Sequence, residues 1–223
     1  MASLHWYQKV FMKRAFLRTG LISVLAFAGF GMVTTAHAED EAPDALIKRL
    51  SVDVMETIKN DKAIRAGDMA RVVALVELRI MPNVNFQRMT ASAVGPAWRQ
   101  ATPEQQKRLQ EEFKTLLVRT YAGALAQVTD QTITVRPLRA SPEDKELMVR
   151  TEIKGAGEPI QLDYRLEKTP GQGAGWRIYN LNVLGVWLVE TYRSQFAQEI
   201  NAKGVDGLIA SLTERNKANN KKG

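Results

Sequence analysis

Apolar positions in the N-terminal half of the chain recur at intervals of three and four residues, which places them on one face of a helix. This spacing predicts a helix over 43–60 and a second helix that begins after Asp68, a favoured N-cap residue. Pro82 ends the second helix, because the residue before a proline disfavours the helical conformation. A shorter helix is predicted over 86–94 and stops at Gly95.

The strongest helix start in the chain lies at Thr102. Thr102 suits the N-cap, Pro103 suits the first helical position, and Gln105 completes a predicted capping box. The apolar spacing then extends this helix to about Ala126. Its apolar stripe contains Leu109, Phe113, Leu116, Leu117, Thr120, Tyr121 and Leu125.

In the second half of the chain the apolar pattern changes to a period of two. Apolar and polar side chains alternate along 133–135, 147–154 and 160–167. The glycine-rich turn PGQGAG (170–175) then leads into a further strand over 176–184. Alternating strands joined by tight turns predict an antiparallel meander with one apolar face.

Two closing helices, over 186–202 and 205–216, complete the predicted fold. It is α+β: a curved antiparallel sheet of about four strands, packed on one face by helices, in a single domain over 39–216. The apolar sheet face and the stripe of the 103–126 helix then face each other. They form either an ordinary filled core or the lining of a cone-shaped apolar pocket, and periodicity alone does not separate these two possibilities.

Residues 1–38 have the features of a cleaved secretory signal peptide. Their charged residues are all basic, and an apolar run of 14 residues follows over 20–33. The run ends in the small-residue pattern Ala36-His37-Ala38. A membrane-spanning helix needs about 20 apolar residues, so we expect cleavage after Ala38 and secretion of the remainder.

The net charge of +7 resides at the two ends of the chain. Removal of the predicted signal takes away four of the 31 basic residues, and four more lie within 215–223. The 24 acidic residues then balance the charge of what remains. A body without a basic excess is atypical of nucleic-acid binders, so we expect no nucleic-acid partner. Residues 217–223 are predicted to be a disordered basic tail.

The chain contains no cysteine, and both histidines, His5 and His37, lie in the predicted signal. The secreted part therefore lacks a Cys nucleophile, a His general base and a Cys/His zinc site. The adjacent pair Glu111-Glu112 diverges on a helix, and the pair Asp163-Tyr164 faces opposite sides of a strand, so neither forms an acid–base dyad. We predict no catalytic residue, no metal and no cofactor.

Several segments of the chain resemble the toluene-tolerance family, in the order in which the family has them and over most of the secreted part. The strands between 132 and 169 match by pattern more than by motif. The segments that carry the resemblance are VNFQRMT (84–90), AVG (93–95), WRQATPEQQ (98–106), LLVRTY (116–121), GWRIYNLNVLGV (175–186), YRSQF (192–196) and KGVDGLI (203–209).

The resemblance implies a periplasmic phospholipid carrier with a cone-shaped, NTF2-like fold that holds acyl tails between sheet and helices. Such a carrier exchanges phospholipid between an outer-membrane lipoprotein–porin complex and an inner-membrane ABC transporter complex, which maintains outer-membrane lipid asymmetry. The predicted lipid-binding residues are Phe113, Leu117, Tyr121, Val149, Leu162, Tyr164, Val183 and Val186. We expect the hydroxyls of Tyr121 and Tyr164 to stay wet near the mouth of the pocket.

Three arginines, Arg88, Arg99 and Arg119, are candidates to contact a phosphate or a partner, although surface salt bridges are the simpler interpretation.

Two other functions are compatible with the same pattern. A non-enzymatic periplasmic adaptor or chaperone would bind protein partners through an apolar groove, and it predicts a filled core without ligand. A small-molecule isomerase on a similar fold would need an Asp that points into the pocket. Asp163 lies on the polar face of its predicted strand, which disfavours the isomerase.

Overall fold

The computed structural model of the protein describes residues 41–155 and 157–220. Within these ranges, the chain forms six α-helices and one antiparallel sheet. The helices are α1 (Pro43–Asn60), α2 (Lys62–Arg65), α3 (Met69–Leu75), α4 (Phe86–Val94), α5 (Pro103–Ala126) and α6 (Leu188–Asn220). The strands are β1 (Thr132–Val135), β2 (Glu146–Lys154), β3 (Ile160–Lys168), β4 (Trp176–Val183) and β5 (Val186–Trp187). The predicted signal, 1–38, lies outside the described residues.

The helix starts follow the capping residues. The Asp68 carboxylate accepts from the backbone N–H groups of Ala70 and Arg71, and the capping box between Thr102 and Gln105 is complete at the start of α5. The second predicted helix is divided, because α3 ends at Leu75 and a π-helical turn follows.

The short helix α2 was not predicted. Its N-cap is Asp61, whose side chain accepts from the N–H groups of Ala63 and Ile64. The same carboxylate pairs with Arg71 at 2.6 Å and so ties α2 to α3. Four residues are too few to produce a recognisable helical period in a sequence.

The sheet is a meander in which each strand pairs with the next in sequence, β1-β2-β3-β4-β5. All pairs are antiparallel. The predicted α+β class and the antiparallel sheet packed by helices are confirmed. The additional strand β5 has only two residues, which is too short for alternation to reveal.

A β-bulge in β4 determines which side chains face the helices. Leu166 pairs with Ile178, but Arg165 pairs with Asn180, so Tyr179 is an extra residue on β4. Beyond the bulge, Leu181 lies opposite Tyr164. The inner face therefore carries apolar side chains on both sides of the bulge, although their spacing along β4 is irregular.

Helix α6 consists of two halves that meet at Gly204, where φ is 69° and ψ is −173°. The second half folds back along the first, since Ser211 and Arg215 both contact Glu199, at 3.0 and 3.4 Å. The two closing helices predicted from the sequence correspond to the two halves of α6 on either side of the bend. The first of them starts later than predicted, because Val186 belongs to β5.

The C-terminal helix is longer than the sequence predicted. The predicted disordered tail begins at residue 217, but α6 continues to Asn220. Asn216 anchors this end by donating to the Glu112 carboxylate at 2.7 Å, and Lys217 pairs with Glu214 one turn back. Residues 221–223 of the predicted tail lie outside the described part.

Three apolar clusters form the core. The first joins α4, α5 and α6 around Phe113, whose ring meets those of Tyr192 and Phe196 edge-on at 4.9 and 5.2 Å. The second joins α1 to the inner sheet face, and the third joins α1, α2, α3 and α5. The first and second clusters are called here the helix cluster and the sheet cluster.

The bend in α6 provides a stability prediction. The backbone conformation of Gly204 is almost confined to glycine, so we expect Gly204→Ala to lower the free energy of unfolding by about 1–3 kcal/mol. Gly123 is a matched control, because it lies inside α5 and the position that an added Cβ would occupy is open space. Gly123→Ala is expected to raise the free energy of unfolding by about 0.4–1 kcal/mol. Urea unfolding of both variants measures the two changes in the free energy of unfolding. Equal changes would contradict the positive-φ conformation assigned to Gly204 at the bend.

Candidate functional site

The candidate site is the apolar layer between the inner sheet face and the helices, at the junction of the helix cluster and the sheet cluster. Val84 and Leu181 pack against both clusters, and each is only half-buried. Half-buried apolar side chains at a junction of two clusters indicate that the layers do not close completely there. We refer to this region as the apolar layer.

Along β3 and β4, the burial of inner-face side chains decreases toward one end of the sheet. Along the inner face of β3, Leu166 and Tyr164 are buried, Leu162 is half-buried, and Ile160 is 41 % exposed. Along β4 the burial falls in the same direction, since Ile178 is buried and Val183 is half-buried. On these two strands the inner face is therefore covered at the Leu166 end and exposed at the Ile160 end, which is called here the open end.

The eight residues predicted from the sequence fall into three groups by burial. Phe113, Val149 and Tyr164 are buried, four are half-buried, and Val186 is 51 % exposed. The half-buried residues are Leu117, Tyr121, Leu162 and Val183.

The structure brings these residues together from two sides. Leu117, Tyr121 and Val183 pack against the helix cluster. Leu162, with the buried Val149 and Tyr164, belongs to the sheet cluster. Leu162 and Val183 are cross-strand partners, so they join the two groups at the open end. Their contact with a ligand stays a prediction.

The two tyrosines of the site differ in their surroundings. Burial raises the pKa of the Tyr164 hydroxyl to about 12, although hydrogen bonding to Ser51 and Thr151 opposes the increase. The expectation that this hydroxyl stays wet is wrong, because Tyr164 points into the sheet cluster rather than to the mouth. Tyr121 is half-buried, and partial burial together with Tyr192 also raises its pKa.

Among the arginines named from the sequence, Arg88 supports the salt-bridge interpretation. Arg88 forms ion pairs with Glu146 and Glu167, and its guanidinium lies 3.7 Å from the centre of the Tyr179 ring. Arg119 donates to the Asn216 backbone carbonyl at 3.0 Å. These contacts hold α4 on the sheet and α5 on α6.

Asp163 lies on the outer sheet face, opposite the apolar layer, since its cross-strand partners are Arg150 and Asn182. This placement disfavours an isomerase that uses a carboxylate inside the layer. The residue is nevertheless not a solvated charge, because only 5 % of it is exposed. One carboxylate oxygen accepts from Gln161 at 2.8 Å, and the other is buried without a protein partner.

Two depressions lie elsewhere on the surface, outside the apolar layer. The larger, about 590 Å³, has a polar lining that includes Asp53, Glu56, Asp61 and Arg71. The other, about 220 Å³, lies between α3 and α5. No group of three or more His, Cys, Asp or Glu side chains in the described residues is arranged to hold a metal ion. Among the same residues, no helix combines the length and the apolar character that crossing a membrane requires.

The fold and the site define a class of protein: an α+β domain with an apolar layer that is open at one end. The described part of the chain contains no metal-binding cluster. The sequence model of the MlaC protein family matches residues 48–214. The chain therefore belongs to the MlaC family, which confirms the toluene-tolerance resemblance.

Individual relatives agree with this assignment. The chain is 30 % identical over 193 residues to the toluene tolerance protein ttg2D of Pseudomonas putida, and the match covers 85 % of each protein. It is 21 % identical over 185 residues to the intermembrane phospholipid transport system binding protein MlaC of Haemophilus influenzae, covering 82 % of this chain and 86 % of that protein.

A solved structure is similar over most of the fold. The phospholipid-binding protein from Ralstonia solanacearum, solved in complex with a phospholipid, superposes with a TM-score of 0.76 at 46 % sequence identity. The match covers 79 % of this chain and 97 % of that one.

Sequence reasoning missed Leu181 as a member of the layer. Strict alternation from Trp176 and Ile178 places Asn180 inside and Leu181 outside, and the bulge at Tyr179 reverses both. The signal was present in the sequence, because the apolar residues Ile178 and Leu181 lie three positions apart, an odd spacing. Two such positions share a sheet face only if an extra residue lies between them.

The buried hydroxyl of Tyr164 generates a pH prediction. The unfolded tyrosine loses its proton near pH 10, whereas the folded one keeps its proton to about pH 12. The contribution of Tyr164 to stability is therefore complete below pH 10 and is lost as the pH rises to about 12, with a total on the order of 3 kcal/mol. Measurement of the free energy of unfolding against pH should give a shallower alkaline decline for Tyr164→Phe than for the wild type.

The matched control is Tyr121→Phe. Tyr121 is half-buried, so its removal should change the alkaline slope less than removal of Tyr164. Identical slopes for wild type and Tyr164→Phe between pH 10 and 12 would contradict the buried position of the hydroxyl.

Proposed function

We propose that this protein is a periplasmic phospholipid carrier that holds acyl chains in the apolar layer. The observation that carries the proposal is the decrease in burial toward the Ile160 end of the sheet, in a chain 46 % identical to a protein solved with a phospholipid. An ordinary core closes on all sides, whereas a site for a long apolar ligand needs one open end.

Acyl chains require such a carrier because water opposes their transfer between membranes. The two chains of a phospholipid contain about 30 methylene groups, each worth about 0.8 kcal/mol on leaving water. An unassisted lipid therefore faces a barrier on the order of 20 kcal/mol. A dry protein layer replaces one apolar environment by another, so the exchange is nearly balanced and its direction is set by partners and by energy supplied elsewhere.

The predicted site residues have separate roles in this proposal. Phe113, Val149 and Tyr164 form the closed floor, because they are buried within the two clusters. The tails lie against the half-buried side chains, and the headgroup remains near Val186 at the open end. The half-buried side chains are Leu117, Tyr121, Leu162 and Val183.

Phospholipid tails dominate the binding free energy in this arrangement, since the layer offers apolar contacts and few polar ones. Weak discrimination between headgroups follows. The protein is not an enzyme in this proposal, and positions 41–220 of the sequence contain neither His nor Cys.

The proposal includes the compartment and the partners. Residues 1–38 direct the chain to the periplasm and are removed there. The partners are an outer-membrane lipoprotein–porin complex and an inner-membrane ABC transporter complex, between which the carrier moves lipid to maintain outer-membrane asymmetry. The Haemophilus relative is named as the binding protein of an intermembrane phospholipid transport system, which supports this part.

Native mass spectrometry tests the proposal directly. The full chain is expressed in a Gram-negative host, purified from the periplasm without detergent, and its bound lipids are extracted. We expect a mass of the protein from which residues 1–38 have been removed, with an increment that resolves into phospholipid. An empty protein with a filled core would contradict the carrier and favour the protein-binding adaptor.

Filling the layer should remove the ligand without unfolding the protein. Leu117 lies on α5 at the helix side of the layer and is half-buried, so Leu117→Trp is expected to occupy the space of a tail. We expect the bound phospholipid per chain to fall several-fold, measured by lipid extraction and native mass spectrometry.

The control for this substitution is Val52→Trp, which adds the same ring at an exposed position of α1. It should leave the lipid content unchanged. Circular dichroism verifies that both variants fold. Full lipid occupancy in Leu117→Trp would contradict the placement of the tails.

A further inference from the structure

The hairpin between β4 and β5 has an unfavourable residue at its turn. Val183 pairs with Val186, so the turn consists of Leu184 and Gly185 alone. Their φ angles are 52° and 87°. Two-residue turns of this kind favour Asn or Asp before Gly. Leu184 is the only residue other than glycine with a positive φ in the described part of the chain.

Leu184 is also exposed to water, with 64 % of its surface accessible. A leucine with positive φ strains the backbone, and its side chain gains little from burial here. Asparagine at this position would relieve the strain and be better hydrated. Leucine is therefore unfavourable for folding on both counts, which points to a role outside the folded core.

Two further apolar side chains lie beside this turn. Ile160 and Val186 are 41 % and 51 % exposed. The Leu184 N–H donates to the Gln161 carbonyl at 3.0 Å, which holds the turn against the start of β3. We refer to Ile160, Leu184 and Val186 as the apolar tip.

The apolar tip continues the inner face of the sheet. Ile160 is two residues from Leu162 on β3, and Val186 is the cross-strand partner of Val183. Both therefore share a face with the half-buried residues of the apolar layer. The tip is the exposed end of one apolar strip that begins in the core and runs to the open end.

The size of the tip favours a lipid surface over a protein as its partner. A stable protein interface buries roughly 800 Å² on each side, and three partly exposed side chains offer much less. A few apolar side chains are enough to enter the edge of a bilayer, because each gains its transfer free energy there.

We propose that the apolar tip inserts into the hydrocarbon edge of a phospholipid bilayer and connects it to the apolar layer by a path that excludes water. A tail then moves along Ile160, Leu184 and Val186 without exposure to solvent. This inference rests on the proposed function, because it assigns the contact through which the same site is loaded and emptied.

The test compares Leu184→Asn with the wild type in a vesicle assay. Donor vesicles of phosphatidylcholine contain a self-quenched fluorescent phospholipid, acceptor vesicles contain none, and the protein is purified from full-length expression without detergent. We expect the initial transfer rate of Leu184→Asn to be at least five-fold lower than that of the wild type. Its bound lipid per chain should be unchanged and its melting temperature equal or higher, since asparagine suits the turn.

The matched control is Leu78→Asn. Leu78 is 74 % exposed and lies in the π-helical turn Val76–Ile80, away from the sheet. It should transfer lipid at the wild-type rate, which would attribute the effect to the position of the tip rather than to exposed leucine in general.

Two results would overturn the inference: a wild-type transfer rate in Leu184→Asn, or an equal loss in Leu78→Asn. If a wild-type vesicle rate in Leu184→Asn were accompanied by loss of lipid transport in cells, the tip would be assigned to a protein partner instead. A wild-type protein without bound lipid is a different outcome, since it overturns the proposed function itself.

Discussion

One extra residue in β4 sets the arrangement of the whole domain. The bulge at Tyr179 turns Leu181 toward the helices and Asn180 toward the outer face. There the Asn180 side chain accepts from the Val189 N–H at 3.2 Å and donates to Glu190 at 2.7 Å, so it fixes the start of α6. Without the bulge, two asparagines would enter the apolar layer unpaired, at a cost of about 1–3 kcal/mol for each buried amide. The same irregularity thus supplies the lining of the layer and the position of the helix that closes it.

A layer that holds a ligand and a layer that stabilises a fold make opposite demands on packing. Dense packing around Phe113 and its aromatic neighbours, in the cluster made by α4, α5 and α6, meets the second demand, which is to stabilise the fold. In the proposed function, half-buried side chains such as Leu162 and Val183, toward the open end of the sheet, would meet the first demand. The two demands are met in different places, and the burial gradient along β3 is the transition between them.

Most of the fold could be predicted from periodicity and capping residues, and the failures have physical causes. The box at Thr102 and the cap at Asp68 are local hydrogen-bond patterns, which a sequence displays directly. The bend at Gly204 was visible as a break between two helical patterns. The burial of Asp163 could not be predicted, because alternation reports which face a residue occupies but not what covers that face. The wet hydroxyl expected for Tyr164 failed for a related reason, since position along a strand relative to the open end is a tertiary property.

The division of the core into a helix cluster and a sheet cluster has a consequence for quality control in the cell. In the proposed function, a ligand bound between the two clusters would contact both, so occupancy would couple their unfolding into one cooperative event. An empty carrier would open more readily at the seam and expose backbone to periplasmic proteases, while a loaded carrier would be spared. Turnover would then select for carriers in use, and their abundance would follow the supply of lipid without any dedicated sensor.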